Sequence, residues 1–307
     1  MTKKIIFDCD PGHDDALALM MAVASPKIDV LAVTTSAGNQ TPDKTLNNAM
    51  RMLTLLHRED IPVAQGNQTP LVEPLETAPE VHGETGLDGA DLPDPDFKVQ
   101  PIPAIELIAK TLCESDEKVT LVVTGPMTNA ALFLRVYPDL AKEKIDQIVF
   151  MGGAMGLGNW RPSVEFNIFV DPEAAKIVMN FGLPLVMAPL NVTHKAQIMK
   201  DEIEQIGQIN NPVAQAFHGL LNFFEQYHEN PSGAYLRIQK PFYINKSSGY
   251  CTSFVHQLLD FYIFSRYFSI LSSDFVLYSS IKYAYVFVVI VVLECPKRLL
   301  IMYTSMP

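Results

Sequence analysis

Short apolar runs and stretches of helical period alternate along most of this chain. Lys3-Lys4-Ile5-Ile6-Phe7 reads as a buried strand, and Ile28 to Thr35 as a second one that closes at Ser36-Ala37-Gly38-Asn39. From Thr41 to about His57 the apolar positions recur at helical spacing behind a Thr-Pro start signal. The alternation continues with a short strand at 61–64, a helix at 102–113 and a strand at Val119 to Val123 that feeds a helix at Ala130 to Val136. A strand at Gln147 to Phe150, a helix at 171–181, a strand at 184–188 and a helix at 200–207 follow. Repeated βα units of this kind predict an α/β fold with a mostly parallel central sheet and helices on both faces. Ligands in such folds bind beyond the carboxyl ends of the strands.

Two stretches break the rhythm. Residues 65–100 form a Pro/Gly/Glu-rich loop region that contains Val81-His82-Gly83-Glu84-Thr85-Gly86-Leu87-Asp88-Gly89, and so long a loop in a compact domain is more often functional or mobile than structural. Residues 247–307 hold 7 charged residues in 61 and 13 Phe plus Tyr, with one Gly and one Ala. The chain therefore divides into an α/β domain at 1–235 and an atypical apolar segment at 236–307. This shift reads as translation in a changed reading frame, which the coding DNA around residues 231–250 tests; the alternative is a divergent module. Tyr283 to Leu293 is uncharged and strongly apolar, but it is too short to span a bilayer, and extension towards Phe275 brings in Lys282. It reads as a core strand or an aggregation-prone segment.

Chemistry concentrates where the first strand gives way to a helix, in Asp8-Cys9-Asp10-Pro11-Gly12-His13-Asp14-Asp15-Ala16. Pro11 and Gly12 turn the chain, and Asp14 and Asp15 place negative charge in the first helical turn, where it is favourable. Helix capping needs one acid, whereas four within eight residues repel one another unless a cation neutralises them. Oxygen ligands at a strand's carboxyl end suit calcium or magnesium, with calcium favoured where carboxylates bind through both oxygens.

The string Asp8-x-Asp10-Pro-Gly-x-Asp14-Asp15-Ala resembles the amino-terminal fingerprint of the inosine-uridine-preferring nucleoside hydrolases, and further matches extend over about residues 3–235. The resemblance implies hydrolysis of ribonucleosides to ribose and free base, with a calcium-activated water attacking an oxocarbenium-like transition state. It implies Asp10 and Asp15 as calcium ligands, joined by the backbone carbonyl of Thr124 in Thr124-Gly125-Pro126-Met127-Thr128-Asn129, and Asp10 as general base. Asp8 either touches the metal or hydrogen-bonds the loop behind it. Asp14 is expected on the ribose hydroxyls, with Asn39, Asn159, Glu165 and Asn167, which lie in Ser-Ala-Gly-Asn, Gly-Asn-Trp and Glu-Phe-Asn strings matching the family's ribose-binding positions. Glu165, beside the apolar Phe166, must find solvent or a partner. Met151 and Phe166 pack either on the nucleoside or in the core. His82, in a His-Gly-x-x-Gly-Leu-Asp-Gly run, contacts the 5′-hydroxyl or helps protonate the leaving base; a lone loop histidine is otherwise simply solvated. His13 orients rather than catalyses. A homodimer or homotetramer is the implied assembly.

Two departures from the family pattern stand out. Asn191 takes the place of a usual Asp in Pro-Leu-Asn-Val-Thr-His194, which is expected to weaken a local polar contact. More seriously, the family's late His-Asp pair, a metal ligand beside a leaving-group histidine, is missing: no His-Asp dipeptide follows His13-Asp14. His256 with Asp260 has the i, i+4 spacing of one helix face, which could imitate the pair geometrically, in surroundings that do not resemble the motif.

A net charge of −11 and a pI near 5.1 argue against nucleic-acid and anionic-membrane partners, which need a basic footprint. Cys9, Cys113, Cys251 and Cys295 lack metal-finger spacing and read as reduced thiols of a cytoplasmic protein; Met-Thr-Lys-Lys leaves no room for a signal peptide. Three readings stand: a working nucleoside hydrolase, an impaired member that retains a partial ribose and metal site, and a scaffold associated with membranes through its apolar tail.

Overall fold

The computed structural model describes residues 2–229 and 281–282. The chain runs β1 (Lys3–Cys9), α1 (His13–Ala24), β2 (Ile28–Thr35), α2 (Pro42–Leu55), β3 (Val63–Gln65), α3 (Pro79–His82), α4 (Ala104–Glu114), β4 (Val119–Val123), α5 (Thr128–Val136), α6 (Pro138–Lys144), β5 (Ile145–Met151), α7 (Phe166–Val170), α8 (Pro172–Met179), β6 (Leu185–Ala188), α9 (Leu190–Thr193), β7 (Gln197–Ile198), α10 (Lys200–Gly207), α11 (Pro212–Glu229) and β8 (Ile281–Lys282).

Six strands form one sheet in the order β3-β2-β1-β4-β5-β6, and every neighbouring pair is parallel. The α/β architecture predicted from the alternation is the one observed. Two successive crossovers carry the chain outward from β1 through β2 to β3. The next connection, through α4, brings it back to β4 on the other side of β1. Strand order thus reverses between β1 and β4, and their carboxyl ends open a crevice there. The strands are apolar on both faces because helices cover both. Ile5, Phe7 and Cys9 of β1 pack into one layer with Leu17, Met21, Leu53 and Leu220. The intervening Ile6 faces the other layer, with Leu107, Ile108, Ala130 and Phe133.

Several boundaries move. The first strand continues past Phe7 to Cys9, so Asp8 lies within the sheet rather than beyond it. Pairing of Asp8 with Thr34 and Val123 on either side holds it there. The long loop contains α3, so His82 ends a helical turn. α6, α9 and α11 are helices that the periodicity did not single out, and α9 separates His194 from β6. β8 pairs antiparallel with β7. His256, Asp260 and Tyr283 to Leu293 lie outside the described residues. Among those described, no helix is long and apolar enough to cross a membrane.

Candidate functional site

Asp10 follows the last residue of β1, and Thr124 the last residue of β4, so the strand reversal itself brings the first fingerprint against the Thr-Gly-Pro-Met-Thr-Asn string. Asp8, Asp10 and Asp15 are 2% exposed or less, and Thr124 is buried with them. Asp10 Oδ2 accepts the backbone N–H of Asn39 at 2.7 Å, and Asn39 Nδ2 donates to the Asp10 carbonyl at 3.0 Å and to Asp15 Oδ2 at 3.2 Å. Asp15 Oδ2 also accepts from Gly12 N, while Asp15 Oδ1 accepts from the Thr124 hydroxyl. Gly38 and Gly125 flank the Asp10 carboxylate so closely that a Cβ on Gly125 would stand 2.5 Å from Oδ1; only a residue without a side chain fits.

Asp8 is held from behind. Its Oδ1 accepts from Thr34 Oγ1 at 2.6 Å and from Asn129 Nδ2 at 2.9 Å, while Asn129 Oδ1 receives the N–H of Asn67 at the start of the long loop. Of the two roles expected for Asp8, these bonds match loop support. Thr34 and Asn129 were not foreseen as functional; a polar Thr at the end of an apolar strand and an Asn closing a glycine-containing string were the available signals.

Burial dominates the electrostatics. It pushes Asp14 up to about 8, with the neighbouring Asp15 charge adding to it and the Glu165 charge contributing less. Asp15 rises to about 6 through burial, opposed by the Thr124 hydroxyl. Asp10 is driven well above the carboxylate range by burial and then by Asp15, and burial lifts Asp8 to about 6 against its bonds from Thr34 and Asn129. Asp8 Oδ2, Asp10 Oδ1 and Asp14 Oδ1 are buried without a hydrogen-bond partner among the described residues. Orphaned, buried carboxylate oxygens near the strand ends fit a hard cation, which would satisfy them and restore ordinary acidity. Among the described residues, no three Asp, Glu, His or Cys side chains close a cage of their own. The donor set foreseen here is two carboxylates, Asp10 and Asp15, with the Thr124 carbonyl.

That carbonyl accepts from Asn167 Nδ2 at 2.7 Å, and the same amide lies 3.2 Å from the Met151 carbonyl and 3.4 Å from its Sδ. Asn167 therefore ties β4 to β5. Glu165 finds backbone partners rather than solvent: it caps α7 by accepting from Asn167 N and Ile168 N, and it accepts from Gly153 N at 2.9 Å. Burial nevertheless pushes it up to about 7. Asn159 Oδ1 accepts from Phe166 N, and Phe166 is buried edge-on against Trp160. Met151, the last residue of β5, is buried in the main core cluster.

His82 is not a solvated loop residue. It is 5% exposed, stacked on His13 and on Phe224 of α11. His13 is buried beside it and held low, at about 4, by that burial. The His-Gly-x-x-Gly-Leu-Asp-Gly run closes on itself, because Asp88 accepts from Glu84 N, Thr85 N and the Thr85 hydroxyl, and Gly83 and Gly86 take positive φ angles of 75° and 88°. Asn191, expected to weaken a contact, instead makes two: Met155 N donates to its Oδ1 at 2.7 Å, and its Nδ2 donates to the Met155 carbonyl at 2.8 Å. An aspartate there could only accept.

Comparison with known proteins gives a consistent picture. The family model "Inosine-uridine preferring nucleoside hydrolase" matches residues 5–262, past residue 235 where the recognisable motifs end. The chain is 62% identical over 229 residues to the pyrimidine-specific ribonucleoside hydrolase RihA of Enterobacter sp. (strain 638), covering 75% of this chain and 73% of that one. To RihA of Shewanella baltica (strain OS185) it is 58% identical over 236 residues, 77% and 74% of the two chains. Among solved structures it is similar to a plant nucleoside hydrolase, the PpNRh1 enzyme, with a TM-score of 0.71 and 35% identity over 75% of this chain and 73% of that one. It is equally similar to a purine-preferring ribonucleoside hydrolase from Gardnerella vaginalis, with a TM-score of 0.71 and 30% identity over 74% and 73%.

Proposed function

The chain belongs to the inosine-uridine preferring nucleoside hydrolase family, and on that footing we propose that it cleaves ribonucleosides, pyrimidine nucleosides foremost, to ribose and free base in a calcium-dependent reaction. The observation that carries this reading is the set of buried, unpartnered carboxylate oxygens where β1 and β4 part, beside Thr124. Asp10, Asp15 and the Thr124 carbonyl would hold the ion. When bound, calcium supplies the positive charge that lets these acids ionise and makes a water more acidic.

Asp10 takes the proton from the attacking water as the water oxygen bonds to C1′ of the ribose. The C1′–N bond breaks, and its electron pair leaves with the base. Asp14, whose Oδ1 has no partner among the described residues, accepts from the ribose hydroxyls, and Asn39, Asn159, Glu165 and Asn167 frame the sugar. Met151 and Phe166 contribute apolar contact, and His82 delivers a proton to the departing base. Pyrimidine preference is inferred from the RihA relatives, whose names state it. A homodimer or homotetramer in the cytoplasm completes the proposal.

A second reading, an impaired member that keeps a partial ribose and metal site, is favoured by the missing late His-Asp dipeptide. Ribose release from uridine, cytidine and inosine, with and without a chelator, separates the two. The expected result is slow, chelator-sensitive release that favours uridine. No release at saturating calcium leaves the impaired reading; chelator-insensitive release removes the metal; preference for inosine removes the pyrimidine assignment.

A further inference from the structure

A row of side-chain donors along α2 holds the His82–Gly89 run by its backbone carbonyls. Gln40, just ahead of the helix, and Lys44, Asn48 and Arg51 on it are spaced to share one face. Gln40 Nε2 donates to the Gly83 carbonyl at 2.8 Å, and Lys44 Nζ donates to the Glu84 carbonyl and to Gln40 Oε1, which turns the Gln40 amide nitrogen towards the loop. Arg51 continues the row beyond the run, donating to the carbonyls of Leu92 and Pro93. Asn48 differs from the other three. Its Nδ2 lies 2.9 Å from the Thr85 carbonyl and 3.1 Å from the Pro11 carbonyl, two groups that only accept, so each takes one hydrogen of a single amide. Asn48 is 1% exposed, and Gly86 lies so close that a Cβ there would stand 2.8 Å from Nδ2. The run thus sits on the amide with no room for a side chain between them.

Pro11 follows Asp10 in the fingerprint turn, and Thr85 lies three residues after His82. We infer that Asn48 is a positioning residue that sets the spacing between that turn and the His82–Gly89 run, and with it the place of His82 beside the acidic cluster. The two hydrogens of one amide have fixed directions, so the carbonyls they hold cannot drift apart without losing a bond. His82 has little latitude at its own end: its ring lies against Gly12, where a Cβ would come within 2.7 Å of it. Gln40 and Lys44 hold Gly83 and Glu84 against α2, whereas Asn48 alone of the four also reaches the turn. The catalytic consequence rests on the proposed proton delivery by His82; the spacing itself does not.

The test pairs amide hydrogen exchange with kinetics on the full chain. Asn48→Asp keeps the shape of the side chain and loses both hydrogens, so that carboxylate oxygen faces carbonyl oxygen. Amides at 83–92 should exchange about 10- to 100-fold faster, the weight of two lost hydrogen bonds, while those of β4 stay protected. The kcat for uridine should fall by about 10²-fold with little change in KM, as when a reacting group is displaced by about 1 Å. Asn47→Asp makes the same change on the exposed side of α2 and should alter neither. Unchanged exchange at 83–92 overturns the inference, and so does loosening that extends through β4, which a merely structural role produces. A loosened run with unaltered kcat overturns the positioning role. If Asn48→Asp fails to fold, Asn48→Ala removes the donors without burying a charge. In the unsubstituted protein the Asn48 side-chain hydrogens should themselves resist exchange, and their rapid exchange overturns the inference without any variant. Exchange is read without substrate, so absence of turnover counts against the hydrolase reading alone.

Discussion

Asn39 grips Asp10 at two points, its backbone N–H on the carboxylate and its side-chain amide on the carbonyl, and the same amide reaches Asp15. Asn39→Ala keeps the first bond and removes the other two. Calcium affinity should fall by about 10- to 100-fold, as when the partners that orient metal ligands are removed. Titration calorimetry in parallel with the unsubstituted chain reads this, and equal affinities would show that Asn39 does not orient the ligands.

The acidic cluster makes stability depend on pH in a definite direction. Asp14 and Asp15, raised to about 8 and 6 from a usual value of 3.8, bind protons more tightly in the folded state than in the unfolded. Without calcium, their contribution is fully present below 3.8 and is lost as pH rises through 6 to 8. Calcium binding releases those protons, so the gain in Tm on adding calcium should widen over the same window. A gain that is flat or narrows with rising pH contradicts the assignment.

Glu165 carries three backbone amides, from Gly153, Asn167 and Ile168. Glu165→Ala leaves them buried and unpaired, which should cost about 1–3 kcal/mol in chemical denaturation. Glu165→Gln, which keeps one acceptor oxygen, should fall between. If the alanine variant unfolds at the same denaturant concentration as the parent, the cap carries no weight.

Asn191→Asp would restore the family's usual residue, yet it removes the donor to the Met155 carbonyl. Amide exchange around residues 152–158 should quicken, with at most a small change in global stability. Slower exchange would mean that a carboxylate suits the position better.

The missing late acid should weaken calcium binding, because affinity in oxygen cages follows ligand charge and rigidity. Replacing residues 236–307 with an intact family-like carboxyl terminus should recover calcium affinity and turnover together. If the chain as written already binds calcium tightly, Asp260 and His256 are the first pair to mutate. An open frame in another phase of the coding DNA, encoding a family-like end, would support the frameshift explanation.

Much of this was legible in the chain itself. β2, β4 and α10 start and end where pattern alone puts them, because apolar runs bounded by turn residues leave little choice. Asp10, Asp14 and Asp15 were legible because one string carries them and the turn between them. The support behind them was not: Thr34, Asn129 and Asp88 act through contacts that join distant parts of the chain, and no local pattern marks a buried hydroxyl as a donor. The burial of His82 was not legible for the same reason. Loop composition suggested water around it, while its burial comes from Phe224 on a helix far along the sequence.

The central place of β1 has a consequence for how the protein forms. Ile5 pairs with Val30 on one side and with Thr120 on the other, so the first strand made waits for the fourth before both its edges are covered. Until β4 arrives, the carboxylates stand in water, ionised and apart. Its docking draws them into a dry space together and must do so against their repulsion. Long-range pairing of this kind is already slow. Divalent cations should therefore hasten the final step of refolding more than they hasten the earlier ones.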